Sequence, residues 1–96
     1  MHAVVRTYSG KGAKELVDAL IKHKAEVEKL MRPIKGFVSY TLVNSGDGCV
    51  SVTVCETKAG TDESIVAAKG WIAKNVPTVG IGAMSVSEGS VIVHLK

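Results

Sequence analysis

Two alternating runs joined by a short polar turn constrain this chain more than any other feature. Phe37-Val38-Ser39-Tyr40-Thr41-Leu42-Val43 and Cys49-Val50-Ser51-Val52-Thr53-Val54-Cys55-Glu56 are rich in β-branched and aromatic side chains, which favour a pleated strand. Between them, Asn44-Ser45-Gly46-Asp47-Gly48 supplies residues that adopt tight-turn conformations at little cost. The pair is therefore expected to be an antiparallel β-hairpin. Val38, Tyr40 and Leu42 with Val50, Val52 and Val54 are expected to form its core-facing side, leaving Phe37, Ser39, Thr41, Val43, Cys49, Ser51, Thr53 and Cys55 on the other. A lone hairpin is marginal in water, so the apolar side must be covered by other elements.

The flanking segments supply that cover. Residues 2–9 alternate, with Ala3, Val5 and Thr7 on one parity and Val4, Arg6 and Tyr8 on the other, and end at the Ser9-Gly10-Lys11-Gly12 turn, as a first strand does. From Ala13 to about Met31, Leu16, Val17, Leu20, Val27, Leu30 and Met31 fall in one helical arc, predicting one long amphipathic helix that stops before Pro33. Thr61 is the expected N-cap of a second helix, with Asp62 and Glu63 in its first turn, running to about Val76 and ending at Pro77. The Val79-Gly80-Ile81-Gly82 connection then leads to a last strand over 84–95, expected to break or bulge at Gly89. The order β-α-β-β-α-β is the α+β, ferredoxin-like arrangement, a four-stranded antiparallel sheet with two helices on one face.

A chain of 96 residues allows one domain, spanning 1–96. A domain of this size buries only about 60 to 65% of its unfolded surface, so a large cavity within one subunit is not expected. The second face of the sheet carries no charge, an unsuitable surface to leave in water. Packing against the same face of a second copy would cover it, making a homodimer through sheet faces that encloses a space between them.

Charge and cysteine content narrow the function classes. Of 12 basic and 9 acidic side chains, the excess lies within residues 11–35, where Glu15, Asp18, Glu26 and Glu28 are interleaved with lysines as on a solvated helix face. No nucleic-acid surface follows from that pattern, and the hairpin strand 49–56 lacks the stacking aromatics of an RNA-recognition sheet. No run approaches the roughly 18 apolar residues of a membrane span, and the start has no leader pattern, so a cytoplasmic protein without membrane contact is expected. Cys49 and Cys55 lie about 20 Å apart on one strand at 3.3 to 3.4 Å per residue and are read as small buried side chains without nucleophilic activation. His2, His23 and His94 are too scattered to suggest a metal site. The glycine clusters at 10–12 and 80–82 lack the endings of phosphate-binding loops.

The element order, the short first strand, the Gly36-Phe37-Val38-Ser39-Tyr40 entry to the hairpin and a second helix carrying Trp71 together resemble the dimeric α/β-barrel superfamily, and within it the antibiotic-biosynthesis-monooxygenase-like proteins. The resemblance covers nearly the whole chain. It implies a dimer joined through its sheets and a site for a small aromatic or hydrophobic molecule, oxidised with O2 and without a cofactor in the catalytic members. Haem-degrading members carry an Asn on the first strand and a Trp and a His on the second helix. Here only Trp71 meets that pattern, the first strand offering Arg6 and Tyr8 instead.

Five residues stand out as ligand-binding candidates. Trp71, the single Trp, is expected off the main core stripe of Ile65, Ala68, Ile72, Ala73 and Val76, placed at the dimer interface, under a loop or against a planar ligand. Asn75, one turn on, is either a ligand contact or a C-terminal cap. Tyr40 is the hairpin's polar aromatic. Arg6 and Tyr8 share a strand face, where the guanidinium must meet Glu56, Glu88 or an acidic substrate. No base is identified: His23 and His94 have the right chemistry but no evident partner. Alternative readings are a non-catalytic ligand-binding domain of this fold and a regulatory ferredoxin-like module that senses amino acids at its strand-helix loops.

Overall fold

The computed structural model describes residues 1–76 and 83–95. In chain order the elements are β1 (His2–Ser9), α1 (Ala13–Lys22), α2 (Lys24–Met31), β2 (Phe37–Asn44), β3 (Cys49–Cys55), α3 (Lys58–Asn75) and β4 (Ala83–Ser90). The four strands form one antiparallel sheet in the order β2-β3-β1-β4, with the helices on one side, the ferredoxin-like topology. Among the described residues no helix is long and apolar enough to cross a membrane.

The hairpin forms as expected, but one of its strands faces the opposite way. Ser45 N–H donates to the Gly48 carbonyl, and Asn44 Oδ1 accepts from Gly46 N–H, closing a turn in which Asn44 opposes Cys49. Even-numbered residues of β2 then face odd-numbered residues of β3: Tyr40 opposes Thr53, and Leu42 opposes Ser51. A slip of one residue exchanges every side chain between faces. Cys49, Ser51, Thr53 and Cys55 are consequently buried beneath the helices, contrary to the pattern-based expectation. A bulge between Phe37 and Ser39 absorbs Val38 and lets both Phe37 and Tyr40 face the helices.

Gly48 is required where it sits, since a Cβ there would lie 1.9 Å from the Tyr8 carbonyl oxygen.

The long first helix is two helices. His23 leaves the helical region (φ −113°, ψ 33°), its N–H still reaching the Ala19 carbonyl while its own carbonyl accepts from Glu26 and Val27. Leu16, Val17, Leu20, Val27 and Met31 all stay on the sheet side of this break, and Ile21 is left half exposed. The second helix starts at Lys58, not at Thr61, because extended Thr57 already accepts from Gly60 N–H. Thr61 is instead buried inside the first turns. Its hydroxyl donates to the Lys58 carbonyl (3.0 Å) and accepts from His2 Nδ1 (2.9 Å), tying α3 to β1.

The inward face of α3 also differs from its apolar stripe. Gly60, Thr61, Ser64, Ala68 and Trp71 are the buried residues, whereas Ala73 is exposed. Small side chains win this face because the helix lies very close to the sheet: a Cβ on Gly60 would sit 2.8 Å from both Cys55 Cβ and the Lys35 carbonyl oxygen. Trp71 thereby enters the core, together with Tyr8, Leu16, Val17, Leu20, Val27 and Cys49.

The expected end of this helix at Pro77 and the connection Val79–Gly82 lie outside the described residues. The last strand is shorter than expected and has no bulge at Gly89, which pairs in register with Ala3. It ends at Ser90 because its neighbour β1 begins at His2, after which the Val91 N–H to Met1 carbonyl bond (3.0 Å) is the last available.

The outer face is uncharged, as expected, although with a different membership. Its cross-strand rows run Val43-Val50-Thr7-Ser85, Thr41-Val52-Val5-Ser87 and Ser39-Val54-Ala3-Gly89.

Candidate functional site

The strand register that buries the odd positions of β3 also builds a polar patch beneath the helices. Arg6 lies between Ser51 on one side and Val86 on the other, Tyr8 beside Cys49, and Thr53 between Val4 and Tyr40. Arg6 is only 2% exposed, and Ser51 and Thr53 are fully buried. Arg6 Nε, Ser51 Oγ, Thr53 Oγ1 and Trp71 Nε1 have no hydrogen-bond partner among the described residues. Buried polar atoms are paired in the great majority of native structures, so four orphans in one region call for an explanation.

Arg6 is the most demanding of them. A guanidinium stays charged at any ordinary pH, and removing an uncompensated ion from water costs several kcal/mol. All nine acidic side chains of the sequence lie within the described residues, and the ion pairs they form use His2, His23, Arg32 and Lys58. The expected partners of Arg6 are therefore absent: Glu88 binds Lys58 and His2, and Glu56 forms no ion pair with it. Neighbouring acidic protons do not supply the missing charge either. Burial holds both the Tyr40 hydroxyl and the Cys49 thiol above their usual values of 10.0 and 9.0, with Arg6 pulling each only partly back.

Above this patch the helices stand away from β2 and leave a groove of about 620 Å³. Its walls are Val17, Leu20, Val27 and Met31 from α1 and α2 and Phe37, Tyr40 and Leu42 from β2, with Lys24, Glu28 and Arg32 at its border. A smaller recess of about 30 Å³ lies deeper, lined by Arg6, Tyr8, Ser51 and Trp71 among others. Leu20, Val27, Met31, Tyr40 and Leu42 line both spaces. A cavity within one subunit was not expected from chain length. The groove lies where α1 and α2 face β2, and its described lining comes from those elements, from Arg32 at the end of α2 and from Cys49 of β3.

The sequence-derived candidates separate into two groups. Arg6, Tyr8, Tyr40 and Trp71 converge on the recess. Asn75 does not; its Nδ2 donates to the Trp71 carbonyl (3.0 Å), satisfying a helix-end acceptor as a cap does. Trp71 is neither at a free surface nor on the outer sheet face, and the His23 ring packs edge-on against it at 5.9 Å between centroids. Ser51 and Thr53 were missed, because an alternating strand read without its register gives the two faces but not their direction. The signal was the turn: pairing Asn44 with Cys49 sets both hydroxyls beside Arg6 and Tyr40.

No family model matches this sequence, and no curated protein does. Solved structures match in fold at low identity. MhuD from Mycobacterium tuberculosis, a haem degrader with two haems bound in its active site, superimposes with a TM-score of 0.68 at 15% identity over 100% of both chains. A protein of unknown function from Nitrosomonas europaea gives 0.69 at 16%, covering 99% of this chain and 91% of the other. The ActVA-Orf6 monooxygenase of Streptomyces coelicolor, in complex with Nanaomycin D, gives 0.64 at 16%, covering 99% and 89%. At such identities the likeness establishes the fold, the one adopted by proteins described as dimeric and ferredoxin-like.

A haem does not fit the residues present. Iron needs an axial donor, but among the described residues neither the groove nor the recess is lined by a His, α3 contains none, and burial favours the protonated forms of Cys49 and Tyr40.

Proposed function

We propose that this chain is a monooxygenase-like protein that acts as a cytoplasmic homodimer joined through its outer sheet faces. It binds a small planar aromatic molecule in the groove between α1–α2 and β2, and oxidises it with O2 without a cofactor. The observation that carries this reading is the shape and chemistry of the groove: about 620 Å³ open on one side, with walls mostly of Val17, Leu20, Val27, Met31, Phe37 and Leu42 and a few polar side chains among them. Pockets of that size and composition bury most of a small ligand and orient it by a few polar contacts. The uncharged outer face supports the dimer. The bound ligands described for MhuD and ActVA-Orf6 support an aromatic occupant.

The chemistry asked of the protein is modest. An activated ring CH2, as in an anthrone, becomes a carbonyl as O2 supplies one oxygen to carbon and leaves with the two hydrogens as water. The substrate provides all four electrons. The chain's own contributions are to hold the ring in the groove against Phe37, Tyr40 and Leu42, and to set Arg6, Ser51 and Trp71, which line the recess beneath, on the side where negative charge grows on oxygen. Binding without turnover is favoured by one specific feature. Among the described residues the lining holds no His, its one carboxylate, Glu28, already bonds Arg32 through Oε1 (2.7 Å), and burial favours the protonated Tyr40.

Oxygen uptake with a panel of anthrones and hydroquinones decides between the two. Uptake that falls at least tenfold in Trp71→Phe and Tyr40→Phe supports oxygenation. Saturable binding by calorimetry with no uptake supports the non-catalytic reading. No binding by any member of the panel contradicts both.

A further inference from the structure

Among the described residues, the inner end of the cavity holds one full positive charge, Arg6, and no acidic side chain. We infer that the natural ligand is an aromatic carboxylate whose charged group enters the recess beside Arg6, while its ring stays in the outer groove. The inference deepens the proposed function and rests on its location of the site.

Four observations converge on it. Arg6 is 2% exposed, and none of the nine acidic side chains pairs with it. The recess it lines measures about 30 Å³, room for one or two waters or a carboxylate and too little for a ring. Beside it, Trp71 Nε1 and Arg6 Nε itself have no partner among the described residues, and Ser51 Oγ has none nearer than the Tyr40 hydroxyl that influences it. A carboxylate accepts several hydrogen bonds at once and matches the planar fork of a guanidinium. One ligand group would thus supply the missing counter-charge and satisfy these orphans together. Finally, the residues shared by recess and groove are Leu20, Val27, Met31, Tyr40 and Leu42, four aliphatic or thioether side chains and one hydroxyl-bearing aromatic. A planar acid, with its ring outside and its charge inside, suits that sequence of surfaces.

A buried arginine kept for its ligand and one kept for the fold respond oppositely to replacement. In the first case Arg6→Met removes an uncompensated charge from the empty protein, whose stability is then unchanged or raised, while selectivity for acids is lost. In the second, replacement strands its partners and stability falls.

The test is calorimetric titration of the whole protein with 1-hydroxy-2-naphthoate and with its neutral isostere 1-hydroxy-2-naphthamide, alongside urea unfolding without ligand. The inference predicts about 10- to 100-fold tighter binding of the acid, the range expected of a charge-assisted hydrogen bond. Arg6→Met should reduce that ratio to about one, Arg6→Lys should retain part of it, and the urea midpoint of Arg6→Met should equal or exceed the parent's. Equal affinities for acid and amide in the parent overturn the inference and leave the aromatic site standing. A retained acid preference in Arg6→Met overturns it by moving the anion's partner elsewhere. Binding of neither probe removes the site itself, and the inference with it.

Discussion

Alanine at Gly60 and at Gly70 should change the stability of this protein in opposite directions, although both glycines lie on α3. At Gly70 an added Cβ meets nothing within 4 Å. Replacing an exposed mid-helix glycine there should stabilise by up to about 1 kcal/mol, because alanine loses less backbone entropy on folding. At Gly60 the same Cβ would lie 2.8 Å from Cys55 Cβ, 2.8 Å from the Lys35 carbonyl oxygen and 3.1 Å from Cys55 Sγ. Two of those atoms belong to β3 and one to the backbone leading into β2, so no flexible side-chain tip can move aside. Overpacking of this kind costs about 1–3 kcal/mol, against a propensity gain no larger than at Gly70. The gain largely cancels between the two variants, leaving a difference of about 1–3 kcal/mol that isolates the close approach of α3 to the sheet. Urea unfolding at one fixed protein concentration reads it as a separation of midpoints with common slope. Because α3 carries Trp71, Gly60→Ala should also weaken ligand binding, whereas Gly70→Ala should not. Equal stabilisation by both substitutions would refute the packing argument and, with it, the account of why small residues occupy this helix face.

Thr53→Val removes a fully buried hydroxyl that has no partner among the described residues and keeps the side-chain shape. Unfolding without ligand should show a gain of about 1 kcal/mol. Trp71→Ala empties part of the core shared with Tyr8, Leu16 and Leu20 and should cost about 3–5 kcal/mol in the same assay. Stability should hold from pH 6 to 8 and fall above about pH 9. Tyr40, Cys49 and Cys55 all have folded values raised, first of all by burial, so the native state keeps protons that the unfolded chain releases there. A urea midpoint that rises between pH 8 and 10 would contradict this sign. For the same reason, thiol reagents at neutral pH should modify Cys49 and Cys55 only as fast as the protein unfolds.

Much of this architecture is written in local patterns, and the parts that are not share one cause. The alternation over residues 2–9 and 37–55 identifies three strands, and the arc of Leu16, Val17, Leu20, Val27 and Met31 identifies the helical cover. Those signals arise within a single element. The direction of β3 does not, because Val50, Val52 and Val54 look better suited to a core than Cys49, Ser51 and Thr53 do. Register decides it, and register is set by the turn at Ser45–Gly48. The burial of Trp71 has a similar origin, since Gly60, Thr61 and Ser64 form no apolar stripe and matter only once the helix lies against Cys55. The end of β4 depends on where β1 begins. Arg6 and Tyr8 were recognisable as unusual strand residues from the sequence. Their assembly with Ser51, Tyr40 and Trp71 into one recess required the sheet register and helix placement together.

The central claim is that the ligand site lies between the helices and the sheet of one subunit. Amide and indole chemical shifts, followed by NMR during titration with 1-hydroxy-2-naphthoate, test it most directly. The account predicts the largest changes at the Trp71 indole N–H and at the amides of Arg6, Tyr8, Tyr40 and Ser51. Changes confined to Val5, Thr7, Val52 and Ser85 would put the ligand between the outer sheet faces and contradict it.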